Sequence, residues 1–145
     1  ADVVSSVAFA PDGMSILTGS YDNTAILWDL NGKPIQKFKG HTDPVTSVAF
    51  APDGMSILSG SWDNTAILWD LNGKPIQKFK GHTYFVTSVA FAPDGMSILT
   101  GSGDMTAILS KTPLGIFDWL QSPDNPLRQL TEKEKVLYGI IEEEN

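Results

Sequence analysis

The sequence predicts an all-β protein of three similar four-stranded antiparallel units, the third degenerate, followed by a short and partly helical tail. Three observations lead to this prediction. The chain nearly repeats itself with a period of 41 residues. Each unit alternates short apolar runs with turn residues such as Pro11-Asp12-Gly13. An Asn-Gly pair, Asn31-Gly32 in the first unit, is typical of a tight β-hairpin.

The first unit contains four expected strands, at 3–10, 15–20, 24–28 and 36–39. Both faces of the first strand carry apolar or small side chains, which is typical of a strand covered on both sides. The fourth strand is the most polar. Pro34 and the lysines around it are typical of an exposed edge strand, because they discourage further pairing. The four strands therefore predict a meander.

The second and third units differ in how well they keep this pattern. Residues 45–81 repeat residues 4–40 with three differences, at Ser5/Thr46, Thr18/Ser59 and Tyr21/Trp62. Such near-identity indicates recent duplication or deliberate construction. The third unit ends in Ser110-Lys111 where the others have Trp-Asp, and no Asn-Gly pair follows.

Residues 111–145 form a different kind of sequence. Pro113–Gln121 is largely apolar and is compatible with a strand or with one or two helical turns. Thr131 with Glu134 forms a capping box, which predicts a short helix. We expect the tail to cover an open face or sheet edge, with partner binding as the alternative. The apolar residues that would do so are Trp119, Leu120, Leu127, Leu130 and Leu137.

Composition limits the classes of function. A net charge of −7 argues against binding to nucleic acid or to an anionic membrane surface. No apolar run approaches the ~18 residues of a membrane span, and no signal peptide is visible. The absence of cysteine excludes a disulfide framework and any thiolate metal site or nucleophile, and it is consistent with a cytoplasmic location. We expect no cofactor and no metal.

The motifs in combination resemble those of a known family. Gly40-His41 is followed by Pro-Asp-Gly, then by Gly-Ser-x-Asp, and then by Trp69-Asp70. This pattern is similar to the WD40 repeat of β-propellers. The resemblance covers residues 1–110 as three blades, 1–40, 41–81 and 82–110, and leaves 111–145 as a capping tail. Leu130–Glu134 with Tyr138-Gly139 resembles the end of some bacterial WD40 proteins.

The WD40 resemblance implies a structural network of aspartate, histidine, serine or threonine, and tryptophan in each blade. Only the middle blade has all four, so the outer blades are expected to be less stable, because a broken buried network costs free energy. The implied residues are His41, Ser61 (or Ser59 on the same strand face), Asp63 and Trp69 in the middle, Ser20, Asp22 and Trp28 in the first blade, and His82, Ser102 and Asp104 in the third.

The same residues could suggest an enzyme, since Ser61, His41 and Asp63 are the residue types of a nucleophilic triad. Two facts favour scaffolding instead. The constellation recurs with the repeat, and the serine lies inside a strand instead of on a sharp turn. Gly101-Ser102-Gly103 and Asp70–Gly73 are better explained as turns than as phosphate or calcium sites. We therefore expect no catalytic residues.

Three blades are too few for a ring, since propellers have about four to eight. The two end faces would be apolar and exposed. We expect the chain to complete its ring by head-to-tail association with itself, as a dimer of six blades or a trimer of nine. The alternative is a fragment whose missing blades come from a different chain.

A partner surface is suggested by where the repeats differ. The differences cluster at positions that resemble the top rim of a WD40 propeller, and they are largely aromatic: Tyr21, Trp62, Tyr84 and Phe85. Aromatic side chains are favoured in binding hot spots, so we expect protein or peptide binding there. Local packing or drift is the competing explanation. In that case the chain is a structural, engineered or recently amplified propeller without an evolved ligand. A further alternative, suggested by the resemblance of the tail, is the sensor end of a larger bacterial signalling protein.

Overall fold

The protein consists of three antiparallel sheets and one helix, as described for residues 2–123 by a computed structural model. Within each sheet every strand pairs with the next one in sequence. The first sheet contains β1 (Val4–Phe9), β2 (Ser15–Ser20), β3 (Thr24–Asp29) and β4 (Pro34–Lys39). The second contains β5 (Val45–Phe50), β6 (Ser56–Ser61), β7 (Ala66–Asp70) and β8 (Pro75–Phe79). The third contains β9 (Val86–Phe91), β10 (Ser97–Ser102) and β11 (Ala107–Lys111), and α1 (Pro113–Gln121) follows it.

The predicted all-β architecture of repeated meanders is confirmed, with two differences in detail. The fourth strand begins at Pro34, earlier than expected. Pro34 lies opposite Trp28 beside a register shift, where its missing N–H is tolerated. The third sheet has three strands in the described part of the chain, so the loss of the Asn-Gly hairpin removes the fourth strand there.

Neighbouring sheets join through a pair of valines that pack against a glycine. Val45 and Val48 are buried against Gly19, and a Cβ at Gly19 would lie 2.8 Å from Val45. Only glycine leaves room for this approach, which explains a glycine inside a strand. We call this arrangement the valine–glycine junction. It occurs twice: Gly19 with Val45 and Val48, and Gly60 with Val86 and Val89.

Hydroxyl groups on β1 and β5, the first strands of their sheets, also connect each sheet to the next. The Ser5 hydroxyl donates to the Val45 carbonyl at 2.5 Å, and the Val48 amide donates to the Ser6 hydroxyl at 3.1 Å. The second junction repeats both bonds, from Thr46 to Val86 and from Val89 to Ser47. Because these directional bonds accompany the apolar contact, each junction has a fixed register.

The apolar segment after β11 is a helix, which decides between the two alternatives left by the sequence. Thr112 caps it: its hydroxyl accepts from the Gly115 amide and donates to the Gly95 carbonyl. Pro113 follows at the start of the helix, where its missing N–H costs nothing. No helix in residues 2–123 is long and apolar enough to cross a membrane. The expected capping box at Thr131 and Glu134 lies outside the described residues.

Gly115 determines how α1 docks. It is buried, and a Cβ at this position would overlap the carbonyl oxygen of Met96. Gly to Ala normally stabilises a helix by roughly 1 kcal/mol. We expect Gly115→Ala to act in the opposite sense and to displace α1 from the turn before β10. Hydrogen exchange at the Thr112 and Ile116 amides should then become faster. Unchanged protection of these two amides would show that α1 is not held by this contact.

Candidate functional site

A buried hydrogen-bond chain runs through the second sheet. The Trp69 indole N–H donates to the Ser59 hydroxyl at 2.9 Å, and Ser59 Oγ lies 2.8 Å from His41 Nε2. His41 Nδ1 lies 2.7 Å from Asp63 Oδ2. The Thr65 hydroxyl donates to Asp63 Oδ1 at 2.6 Å. The chain thus links the β6–β7 turn, two strands of the sheet and the segment before β5.

The proton positions along this chain follow from its two ends. An indole N–H can only donate and a carboxylate can only accept. Ser59 therefore receives the Trp69 bond and has its single hydrogen free for His41 Nε2. His41 then carries its proton on Nδ1 and donates it to Asp63. Each buried member is satisfied with this histidine tautomer, which is what a structural network requires.

The sequence offered Ser61 or Ser59 for this network, and Ser61 lies outside it. Its hydroxyl donates to the Asp43 carbonyl at 2.8 Å and accepts from the Asp63 amide at 3.1 Å. Ser59 occupies the position between His41 and Trp69. The same correction applies in the outer sheets, where Thr18 replaces Ser20 and Thr100 replaces Ser102. Strand alternation puts both serines on one face, so periodicity alone could not separate them.

The outer sheets contain incomplete versions of the network. In the third sheet, His82 lies 2.8 Å from both Asp104 and Thr100, but Ser110 stands where a tryptophan would donate. In the first sheet, the Trp28 indole donates to Thr18 at 2.9 Å. No histidine in the described residues joins that pair. The second sheet is therefore the only one of the three with a complete chain.

These groups have no arrangement suited to nucleophilic catalysis. Ser59 and Ser61 are buried, and the hydrogen bonds of both serines are already made within the protein. A substrate would have no access to either hydroxyl. Within residues 2–123, no group of three or more histidine and acidic side chains could hold a metal ion.

The hydrogen bonds to Asp63 change its acidity. Burial opposes ionisation, but the bonds from His41 and Thr65 outweigh it and hold the pKa of Asp63 well below its usual range. The pKa of Asp104 is lowered as well, chiefly by the hydroxyl of Thr106. Both carboxylates are therefore ionised acceptors at neutral pH.

This shift predicts an acid-sensitive contribution to stability. Because the pKa of Asp63 is lower in the folded state, its stabilisation is complete above the unfolded value of ~4 and is lost as the pH falls below it. We expect Asp63→Asn to reduce the urea midpoint at pH 7 and to flatten its decline between pH 5 and 3. Asp104→Asn should act in the same direction. An acid decline in Asp63→Asn as steep as in the unmodified chain would contradict this assignment.

The four aromatic residues singled out from the sequence form one continuous row. Ring centroids are 5.4 Å apart for Tyr21 and Trp62, 6.0 Å for Trp62 and Phe85, and 4.3 Å for Phe85 and Tyr84. Tyr21, Trp62 and Tyr84 are exposed, and Phe85 is half-buried. We call these four side chains the aromatic row. It crosses the same end of all three sheets.

The third sheet contributes to this row by a compensated exchange. Tyr21 and Trp62 occupy the turn position, where the third sheet has Gly103. A Cβ at Gly103 would lie 2.7 Å from Tyr84 and 2.9 Å from Phe85. The glycine therefore makes room for aromatic side chains supplied from the neighbouring loop. Each sheet keeps an aromatic contribution, although its position in the repeat changes.

Two equivalent grooves lie between the sheets, near the Pro-Asp-Gly turns. One has a volume of about 510 Å³ and is lined by Pro11 and Phe50. The other has about 420 Å³, and Pro113 and Leu114 form part of its wall. The ionisable residues that line both grooves are aspartates of the Pro-Asp-Gly turns. Among the residues that the structure describes, each groove therefore lacks a second kind of ionisable group that could act with these aspartates in acid–base chemistry.

The end sheets each present one half of a valine–glycine junction. Val4 and Val7 of the first sheet are 57% and 67% exposed, whereas their equivalents Val45 and Val48 are 0% and 6% exposed. In the third sheet, the nearest atom to a Cβ at Gly101 would be the Thr87 hydroxyl at 3.8 Å. Glycine inside a strand was the sequence signal for this junction, and sequence reasoning missed it.

Three repeated meanders, with adjacent inner strands and a buried tryptophan-to-aspartate chain, define a repeat protein of the β-propeller class. The family model described as WD domain, G-beta repeat (WD40) matches residues 1–29, 32–70 and 73–109. The chain belongs to this family, and the resemblance seen in its motifs is confirmed. The last two matched segments begin with β4 and β8 and continue into the next sheet, so the family repeat is offset from the sheets by one strand.

Proposed function

We propose that this chain is a non-catalytic β-propeller scaffold that completes its ring by head-to-tail association with copies of itself. The observation that carries the proposal is the pair of half-junctions at its two ends. The exposed valines of the first blade and the open Gly101 of the third blade are the same groups that meet at both internal junctions. A second copy can therefore bury them with contacts that the chain already makes twice. Such an interface is heterologous, and it closes if the rotation per blade permits.

The closed assembly contains two or three chains, which gives six or nine blades. Native mass spectrometry tests this directly. A particle with twice or three times the mass of one chain supports ring completion. A single chain at micromolar concentration, with no larger species, contradicts it.

The aromatic row is our proposed site for a protein or peptide partner. Its support is the exposure of three large aromatic side chains in continuous contact, since tyrosine and tryptophan are enriched among binding hot spots. The exchange at Gly103 adds support, because it keeps aromatic surface in the third blade. Ring closure would bring the rows of successive chains to the same end of the assembly.

We expect Trp62→Ala to weaken peptide binding at this site by about 2 kcal/mol or more, which is the loss typical of a hot-spot tryptophan. The probe is a random peptide library on phage, selected against the unmodified chain and rescreened against the variant. The matched control is Met55→Ala, an exposed apolar side chain in the β5–β6 turn of the middle blade, outside the row and outside both end faces. Failure to enrich any peptide would leave the structural assembly unit as the better description. Peptides that bind Trp62→Ala equally well would exclude the row as their site.

A further inference from the structure

The outer edge of the third blade is open in the described part of the chain. In the first two blades, a fourth strand follows the third and pairs with it, β4 on β3 and β8 on β7. β11 holds the place of β3 and β7, but it pairs with β10 alone, and α1 follows it.

The backbone groups on this edge can be assigned by alternation. The Thr112 amide donates to the Met96 carbonyl at 3.0 Å, toward the β10 side. Asp29 is the residue of the first blade that corresponds to Lys111. Its amide donates to the Lys33 carbonyl, toward β4. Successive residues of an antiparallel strand point their amides to opposite sides. Three residues of β11 therefore direct N–H and C=O groups to the open edge: Ala107, Leu109 and Lys111.

The molecule itself shows twice which strand fits such an edge. β4 and β8 share the sequence Pro-Ile-Gln-Lys-Phe. They also share a register, with Phe38 opposite Ala25 and Phe79 opposite Ala66. Ala107 holds the place of these two alanines in β11. A strand of the same type would therefore set its phenylalanine opposite Ala107.

We propose that the open edge of β11 binds an extended segment of another polypeptide with the pattern Lys-Pro-Ile-Gln-Lys-Phe-Lys, which adds antiparallel as a fourth strand. Main-chain hydrogen bonds along the edge supply the affinity, and the register that sets the phenylalanine opposite Ala107 supplies the selectivity. This site is distinct from the aromatic row and from the valine–glycine contacts of ring closure. It does not depend on the proposed function, since it requires only the described third blade.

The test uses the full chain and the fluorescein-labelled peptide Gly-Lys-Pro-Ile-Gln-Lys-Phe-Lys-Gly, the sequence of residues 73–81. Fluorescence anisotropy should show saturable binding of one peptide per chain. Two N-methylated peptides form a matched pair. A methyl on the phenylalanine amide removes a bond to β11 and should weaken binding about tenfold or more. A methyl on the preceding lysine amide faces away and should change binding by less than about threefold.

The protein variant Leu109→Pro locates the site. It removes one outward N–H and no bond to β10, in the position on an edge strand where proline is tolerated. We expect it to abolish peptide binding. Absence of saturable binding to the full chain overturns the proposal, and so does equal binding of the two methylated peptides. Unchanged binding to Leu109→Pro, with its circular dichroism intact, would place the peptide on β4 or β8 and also overturn it.

Discussion

If the proposed ring forms, Gly101→Val is expected to convert it into single chains without unfolding them. In the free chain, the side-chain position of Gly101 is open. Its backbone does not have the positive φ that would exclude a valine, and valine suits a strand better than glycine does. At the internal junctions a Cβ at the same position would lie 2.7–2.8 Å from valine methyl groups. The new side chain would therefore clash only with the next chain.

Val7→Lys is the complementary change on the first blade. Val7 is exposed in the free chain, so a lysine costs little there. In the ring it would bury an unpaired charge, which is strongly unfavourable. Each variant alone should be monomeric by native mass spectrometry. Mixed in equal amounts, they retain one intact half-junction each, so we expect an open dimer of one Gly101→Val chain and one Val7→Lys chain.

The heterodimer distinguishes a head-to-tail interface from any other. A self-complementary interface predicts that the mixture contains no species absent from the separate variants. Gly60→Val is the matched control. It enlarges the internal junction against Val86 and Val89, so it should destabilise the fold by about 1–3 kcal/mol. Rings of normal mass formed by Gly101→Val would contradict the proposed closure.

The sequence predicted the blades because repetition and turn chemistry are local signals. Asn31-Gly32 does form its hairpin turn, with Gly32 at a φ of 81°. The decay of the motif at Ser110 likewise signalled the incomplete third blade. The sequence could not decide whether the segment after Pro113 is a helix or a strand, because the choice depends on a tertiary contact between Gly115 and Met96.

The sequence predicted which residues form the candidate site better than it predicted how those residues contact one another. The aromatic row contains the four residues that the repeat differences indicated, but their contact order depends on packing between sheets. Ser59 and Ser61 differ by one strand period, so they face the same side and only depth in the sheet separates them. The compensation between Gly103 and Tyr84 involves residues from two different loops, which no local pattern relates.

Ser59→Ala is expected to be strongly destabilising through the hydrogen-bond network alone, because it removes a single hydroxyl from the centre of the chain. It leaves two buried groups without a partner, the Trp69 indole N–H and His41 Nε2. Each such group costs about 1–3 kcal/mol, so the free energy of unfolding should fall by about 2–6 kcal/mol in total. Urea denaturation at one fixed chain concentration measures this, because association would otherwise contribute.

The incomplete networks provide graded controls for Ser59→Ala. Thr18→Val removes the partner of Trp28 alone, and this indole is partly exposed, so water can replace the lost bond at a cost of about 1 kcal/mol or less. Thr100→Val removes the partner of His82 Nε2 and should be intermediate. Equal losses in all three variants would mean that the hydroxyl contributes locally and that the complete chain in the middle blade adds nothing. A loss that follows the number of orphaned buried groups would make the middle blade the most stable unit, on which both neighbours are packed.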